Sequence, residues 1–159
     1  IDLLTLFCVS VNQHEPELSK DKIEELKENG WIESENIFGR CLVLPKDKRE
    51  EIIPALAHGL INWRITSNQS RTFSLMETLA VAISDNASSI PASIRAKLVD
   101  NGENPKAIPI IDEATGAEVF VTLPCAAYIQ TESESVDALK NAEQRLIELM
   151  RAFDYEKQL

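Results

Sequence analysis

The chain has 159 residues, 44% of them apolar, and a net charge of −10. Length and balance suit a single domain that needs no metal or disulfide for its core, and they exclude a disordered chain. No stretch approaches the roughly 18 apolar residues that cross a bilayer, and the net acidity disfavours diffuse attachment to nucleic acid or anionic membranes, whose phosphates it repels.

The charge is unevenly spread. Residues 1–39 carry −6, residues 40–71 carry +3, and residues 72–159 carry −7. A local basic contact in the middle is compatible with the total. The three cysteines, Cys8, Cys41 and Cys125, are odd in number and widely spaced. A secreted disulfide framework shows an even, closer set, so these read as small buried hydrophobes of a protein in a reducing, cytoplasmic compartment.

Residues 1–12 are apolar and fit a strand or a core helix. Asp2, with no Lys or Arg ahead of it, argues against a secretory leader. Pro16 marks a turn. Ser19 is placed to cap a helix running to about Asn29, with Ile23 and Leu26 inward and Gly30 as its C-terminal cap. Two short strands and a turn follow, predicting a β-hairpin at about 31–44 that Pro45 ends. From Asp47, the stripe Ile52, Ile53, Leu56, Ala57, Leu60 and Ile61 predicts a helix. Pro54 predicts a kink or break in it, or a start at 54.

Ser74 and Glu77 fit a capping box, so the apolar run through Leu79, Ala80 and Ile83 reads as a helix. Another helix is expected from Pro91, with Ile94 and Leu98 inward and Asn101-Gly102 closing it. Residues 107–112 and 117–123 alternate as strands, and the turn between them contains Gly116. A second hairpin is expected at about 107–123. Ser133 or Ser135 then caps a long C-terminal helix reaching about Lys157. The predicted class is α+β: a mostly helical single domain with two short hairpins and a long C-terminal helix.

The order helix, glycine turn, strand, turn, strand, proline, helix start over residues 19–49 is similar to the second half of a winged-helix domain. It suggests a sub-unit at about 1–53. The resemblance implies nucleic-acid contacts through the basic segment Arg40, Lys46, Lys48 and Arg49. The candidate recognition helix argues against duplex docking. It sets Lys20, Lys22 and Lys27 against Asp21, Glu24, Glu25 and Glu28, a net of −1.

Residues 62–73 are richest in recognition chemistry. Trp63 and Phe73 can stack, Arg64 and Arg71 can grip a carboxylate or phosphate, and Asn68 and Gln69 donate and accept. His14, His58 and the cysteines show no ligand spacing, and no phosphate-binding fingerprint occurs, so neither metal nor cofactor is expected. No nucleophile motif selects a partner for His58, which would be the first base to test, with Arg64 and Arg71, in an enzyme of unrecognised type. Along the C-terminal helix, Val136, Leu139, Leu146, Leu149, Met150 and Phe153 recur near heptad spacing and could zip to a second copy.

The leading expectation is a non-enzymatic regulatory or interaction protein that binds another macromolecule, most naturally a protein. One alternative is the winged-helix-like nucleic-acid binder. Another is an acidic nucleic-acid mimic, using the carboxylates of residues 19–29 and 132–137 against a nucleic-acid-binding partner.

Overall fold

A computed structural model describes residues 1–12, 17–63, 78–99, 106–123 and 134–158. The protein is mixed α+β, with four α-helices and eight short strands in small sheets among the described residues. It divides into two compact units: Ile1–Leu56 with Ile147–Leu159, and Ala57–Leu146.

The first unit opens with β1 (Cys8–Ser10), α1 (Lys20–Glu28), β2 (Ile32–Asn36) and β3 (Gly39–Val43). The strands form an antiparallel sheet in the order β1-β3-β2. β3 is central, and Cys41, Leu42 and Val43 are all buried, so both faces of this strand are covered. A run of three consecutive apolar residues suits such a position. Gly30 takes the left-handed conformation (φ +86°) that ends α1, and Trp31 N–H donates to the Leu26 carbonyl at 3.0 Å. Glycine adopts this geometry without a Cβ clash. The helix–hairpin order expected over residues 19–44 is thus present.

The unit's core is aromatic. Tyr155 is buried between Phe7 and Phe153, with ring centroids 5.5 and 4.9 Å away in edge-to-face contact. Cys41, Val43 and Tyr155 form its buried centre, with Leu6, Phe7, Cys8 and Phe153 packed on them. Phe7 carries a positive φ of 66°, and its carbonyl accepts from Leu44 N–H at 2.9 Å.

α2 (Lys46–Ile61) runs without interruption through Pro54. The expected break does not occur. Proline removes one intrahelical donor, but Ile53 and Ala57, both buried, anchor the helix on either side of it.

The second unit contains β4 (Ala80–Ile83), α3 (Ser89–Ser93), β5 (Ile94–Val99), β6 (Lys106–Ile111), β7 (Glu118–Thr122), β8 (Glu134–Ser135) and the first part of α4 (Ala138–Ala152). One sheet has the order β4-β7-β8, and β5 pairs with β6 alone. Four expectations are corrected here. The strands expected to make the 107–123 hairpin do not pair with each other. β6 is antiparallel to β5, and β7 is antiparallel to β4. The reason lies in the turn. Asp112 N–H donates to the Ser93 carbonyl at 2.8 Å, its carboxylate accepts from Ala114 N–H at 3.1 Å, and a 3-10 turn over Glu113–Thr115 delivers the chain to another sheet.

Residues 80–83 are strand rather than helix. Their edge is tied further by Thr122, whose backbone N–H and hydroxyl both donate to the Leu79 carbonyl at 2.9 Å. The proposed capping residues 74 and 77 lie outside the described residues. The helix expected from Pro91 is only Ser89–Ser93. Ile94 and Leu98 belong to β5, and Leu98 is 66% exposed instead of inward. α4 ends at Ala152, short of Lys157, and Val136 precedes it as an exposed residue. Ala138, Ala142, Ile147 and Met150 make its buried stripe.

Candidate functional site

The feature that stands out is the tip of the β2–β3 hairpin. Asn36 pairs with Gly39, leaving Ile37 and Phe38 as a two-residue turn. Both are 59% exposed. A large apolar residue on a turn normally folds inward or is absent, so two adjacent ones facing water call for an account.

Two asparagines hold this turn. The Asn36 side chain is buried. It accepts from Phe38 N–H at 2.9 Å and donates to the Leu4 carbonyl at 3.3 Å. Asn12 works from the other side. Its amide nitrogen donates to the Phe38 carbonyl at 3.0 Å, and its amide oxygen accepts from Arg40 N–H at 3.0 Å. Gly39 sits at φ +112°, and a Cβ there would stand 2.6 Å from the Asn12 oxygen. The backbone of the turn is therefore fixed while its apolar side chains are left outside.

Helix α1, which precedes the hairpin in the chain, carries Asp21, Glu24, Glu25 and Glu28 against Lys20, Lys22 and Lys27. Lys22 is paired with Glu25 at 2.5 Å, and Lys27 with Glu33 on β2. Lys27, by hydrogen bond and charge, holds the Glu33 carboxyl below the usual carboxylate range. Asp21, Glu24, Glu28 and Glu35 are exposed.

Of the residues expected to bind a partner, Trp63 follows α2 and is 61% exposed. Arg64, Asn68, Gln69 and Arg71 lie outside the described residues. The basic segment is dispersed by its environment. Arg40 is exposed on β3 opposite Glu35. Lys46 is exposed at the start of α2, and Lys48 is 3.2 Å from Glu51. Arg49 turns inward and is only 6% exposed. Its guanidinium donates to the Leu44 carbonyl at 2.5 Å and to Glu156 at 2.8 Å, and it lies 5.1 Å from the centre of the Tyr155 ring.

Other chemistry-bearing groups have structural settings. His58 Nδ1 is 3.0 Å from a Glu143 oxygen, and the Asn62 amide donates to the same carboxylate at 3.3 Å. Cys8 and Cys41 are free thiols facing a cavity of about 140 Å³ beside Thr5, Glu17 and Phe38. Burial pushes the Cys8 thiol up to about 11 and raises Cys41 as well, so neither is a ready nucleophile near neutral pH. Cys125 and His14 lie outside the described residues. Among the described residues, no three His, Cys, Asp or Glu side chains gather to hold a metal ion, and no helix is long and apolar enough to cross a membrane.

Sequence reasoning passed over Ile37 and Phe38. The signal was present: two large apolar residues inside a turn between short strands break the polar pattern such turns follow. No family model matches this chain, and no curated protein or solved structure does either.

Proposed function

We propose that this is a non-enzymatic interaction protein whose N-terminal unit is a winged-helix-like module that binds another protein through its wing, the β2–β3 hairpin. The observation that carries this reading is the braced turn with Ile37 and Phe38 exposed. Apolar side chains on a pre-organised backbone gain area on docking with little ordering cost, and aromatic residues dominate the energy of protein interfaces. The strand order β1-β3-β2, with α1 leading into the hairpin, supports the winged-helix comparison.

Nucleic acid is the weaker partner. A duplex-reading helix offers cations to two phosphate backbones. Here Lys22 and Lys27 are engaged by carboxylates, and Arg49 is spent inside the unit. The reducing, cytoplasmic setting suggested by cysteine usage belongs to the same proposal.

Affinity capture from a native lysate, run in parallel with the wild-type chain and an Ile37→Ser/Phe38→Ser variant, tests the reading. The wild type should retain proteins that the variant loses, with circular dichroism showing both folded. Salt-sensitive binding of duplex DNA at micromolar protein, or an unchanged set of captured proteins, would overturn it.

A further inference from the structure

Cys8 and Cys41 are brought to the same face of one sheet. We infer that they are a reversible redox pair, closing a disulfide between β1 and β3 when a low-molecular-weight disulfide of the glutathione class is in excess.

The strand register carries it. Val11 N–H donates to the Arg40 carbonyl at 3.0 Å, and Leu44 N–H donates to the Phe7 carbonyl at 2.9 Å. Those are hydrogen-bonded pairs. Between them, Cys8 opposes Val43 and Ser10 opposes Cys41 in non-hydrogen-bonded pairs, where facing side chains come closest. Residues two apart on a strand share a face, so the two thiols are diagonal neighbours on one side of the sheet. They line the same cavity of about 140 Å³, and each shifts the proton affinity of the other. A diagonal pair stands slightly wider than ordinary disulfide geometry. β1 is a three-residue strand at the edge of the sheet, free to make up that distance. A bridge closed by such an adjustment is strained, and strained bridges are the readily reduced ones.

Access orders the exchange. Cys8 is partly exposed, whereas Cys41 is only 3% exposed. The Cys8 thiol gives its proton to water, and its sulfur attacks one sulfur of the added disulfide. One small thiol leaves, taking up a proton. The Cys41 thiol then loses its proton and attacks the Cys8 sulfur, expelling the second small thiol. One S–S bond forms and one breaks, and two electrons with two protons pass from the cysteine pair to the small disulfide.

The test incubates the full chain with oxidised glutathione at about pH 8.5, where thiolate is more available, both folded and in urea. Acid quenching and peptide mapping follow. The folded chain should give a linked Cys8–Cys41 peptide with Cys125 outside the bridge, and excess reduced glutathione should reopen it. At a fixed glutathione ratio, the bridged-to-open ratio should be at least about ten-fold higher folded than in urea, because the fold holds the two sulfurs near each other. Cys41→Ser should stop at a glutathione adduct on Cys8, and Cys8→Ser should leave Cys41 unmodified. Glutathione adducts without the linked peptide would overturn the proposal. So would linkage through Cys125, a bridge no more favoured folded than in urea, or one that excess reduced glutathione leaves closed.

Discussion

Arg49 shows how a residue's surroundings decide what its charge is for. From its spacing with Lys46 and Lys48 it belongs to a basic strip. In the fold it is buried, hydrogen-bonded to the Leu44 carbonyl, paired with Glu156 and stacked near Tyr155. One guanidinium thus ties the end of β3, the start of α2 and the C-terminal segment together. Arg49→Ala should lower stability by about 2–3 kcal/mol, the cost of losing charged hydrogen bonds and leaving a buried carbonyl short of its donor. Arg49→Lys should restore less than half of that, because an ammonium cannot present a planar fork and stack at once. Urea denaturation of the three chains gives both numbers. A loss within about 0.5 kcal/mol, the range of an ordinary surface site, would return Arg49 to the solvent-facing strip.

At the scale of elements, the wing depends on two contacts distant in sequence from each other. Gly39→Ala combines a strained positive φ with a Cβ 2.6 Å from the Asn12 oxygen. It should destabilise the unit by roughly 1–3 kcal/mol. Asn12→Ala removes the acceptor for Arg40 N–H, so that amide should exchange with solvent roughly ten-fold faster, which hydrogen–deuterium exchange reads directly. Unchanged exchange at Arg40 would mean that Asn12 does not brace the turn.

These elements also show what was legible beforehand. α1 and the 31–44 hairpin are specified locally, by Gly30, by a two-residue turn and by Pro45, so their order could be read from residues 19–49 alone. β6 and β7 could not be paired correctly. The Gly116 turn has hairpin chemistry, yet their partners, β5 and β4, are chosen by non-local contacts such as Asp112 with Ser93. β4 failed for a different reason. A short apolar run fits a buried strand or a helix equally, and the neighbouring Ser-x-x-Glu favoured the wrong one. For the proposed site, acidity and basic clusters are prominent in the sequence, whereas the exposure of Ile37 and Phe38 depends on what the rest of the fold covers.

For the whole molecule, alkaline pH bears on the core of the first unit. Cys8, Cys41 and Tyr155 all belong to the first unit. Burial raises the Cys8 thiol from 9.0 to about 11 and the Tyr155 phenol from 10.0 to about 12. Each group loses its proton more readily in the unfolded chain. Their contribution to folding is therefore complete below pH 9 and declines as pH rises from 9 towards 12. The two tryptophans report the units separately, Trp31 in the first and Trp63 in the second. In a Trp63→Phe chain, the urea midpoint read by the Trp31 emission wavelength should hold steady to about pH 8.5 and then fall steadily to about pH 11.5. Cys8→Ser with Tyr155→Phe removes the half-buried Cys8 thiol, and removes a buried phenolic hydroxyl with no hydrogen-bond partner among the described residues. That pair of changes should flatten the decline at little cost to stability at neutral pH. A midpoint that stays level in the parent, or falls as steeply in the double variant, would show that alkaline loss comes from elsewhere than this aromatic and thiol core.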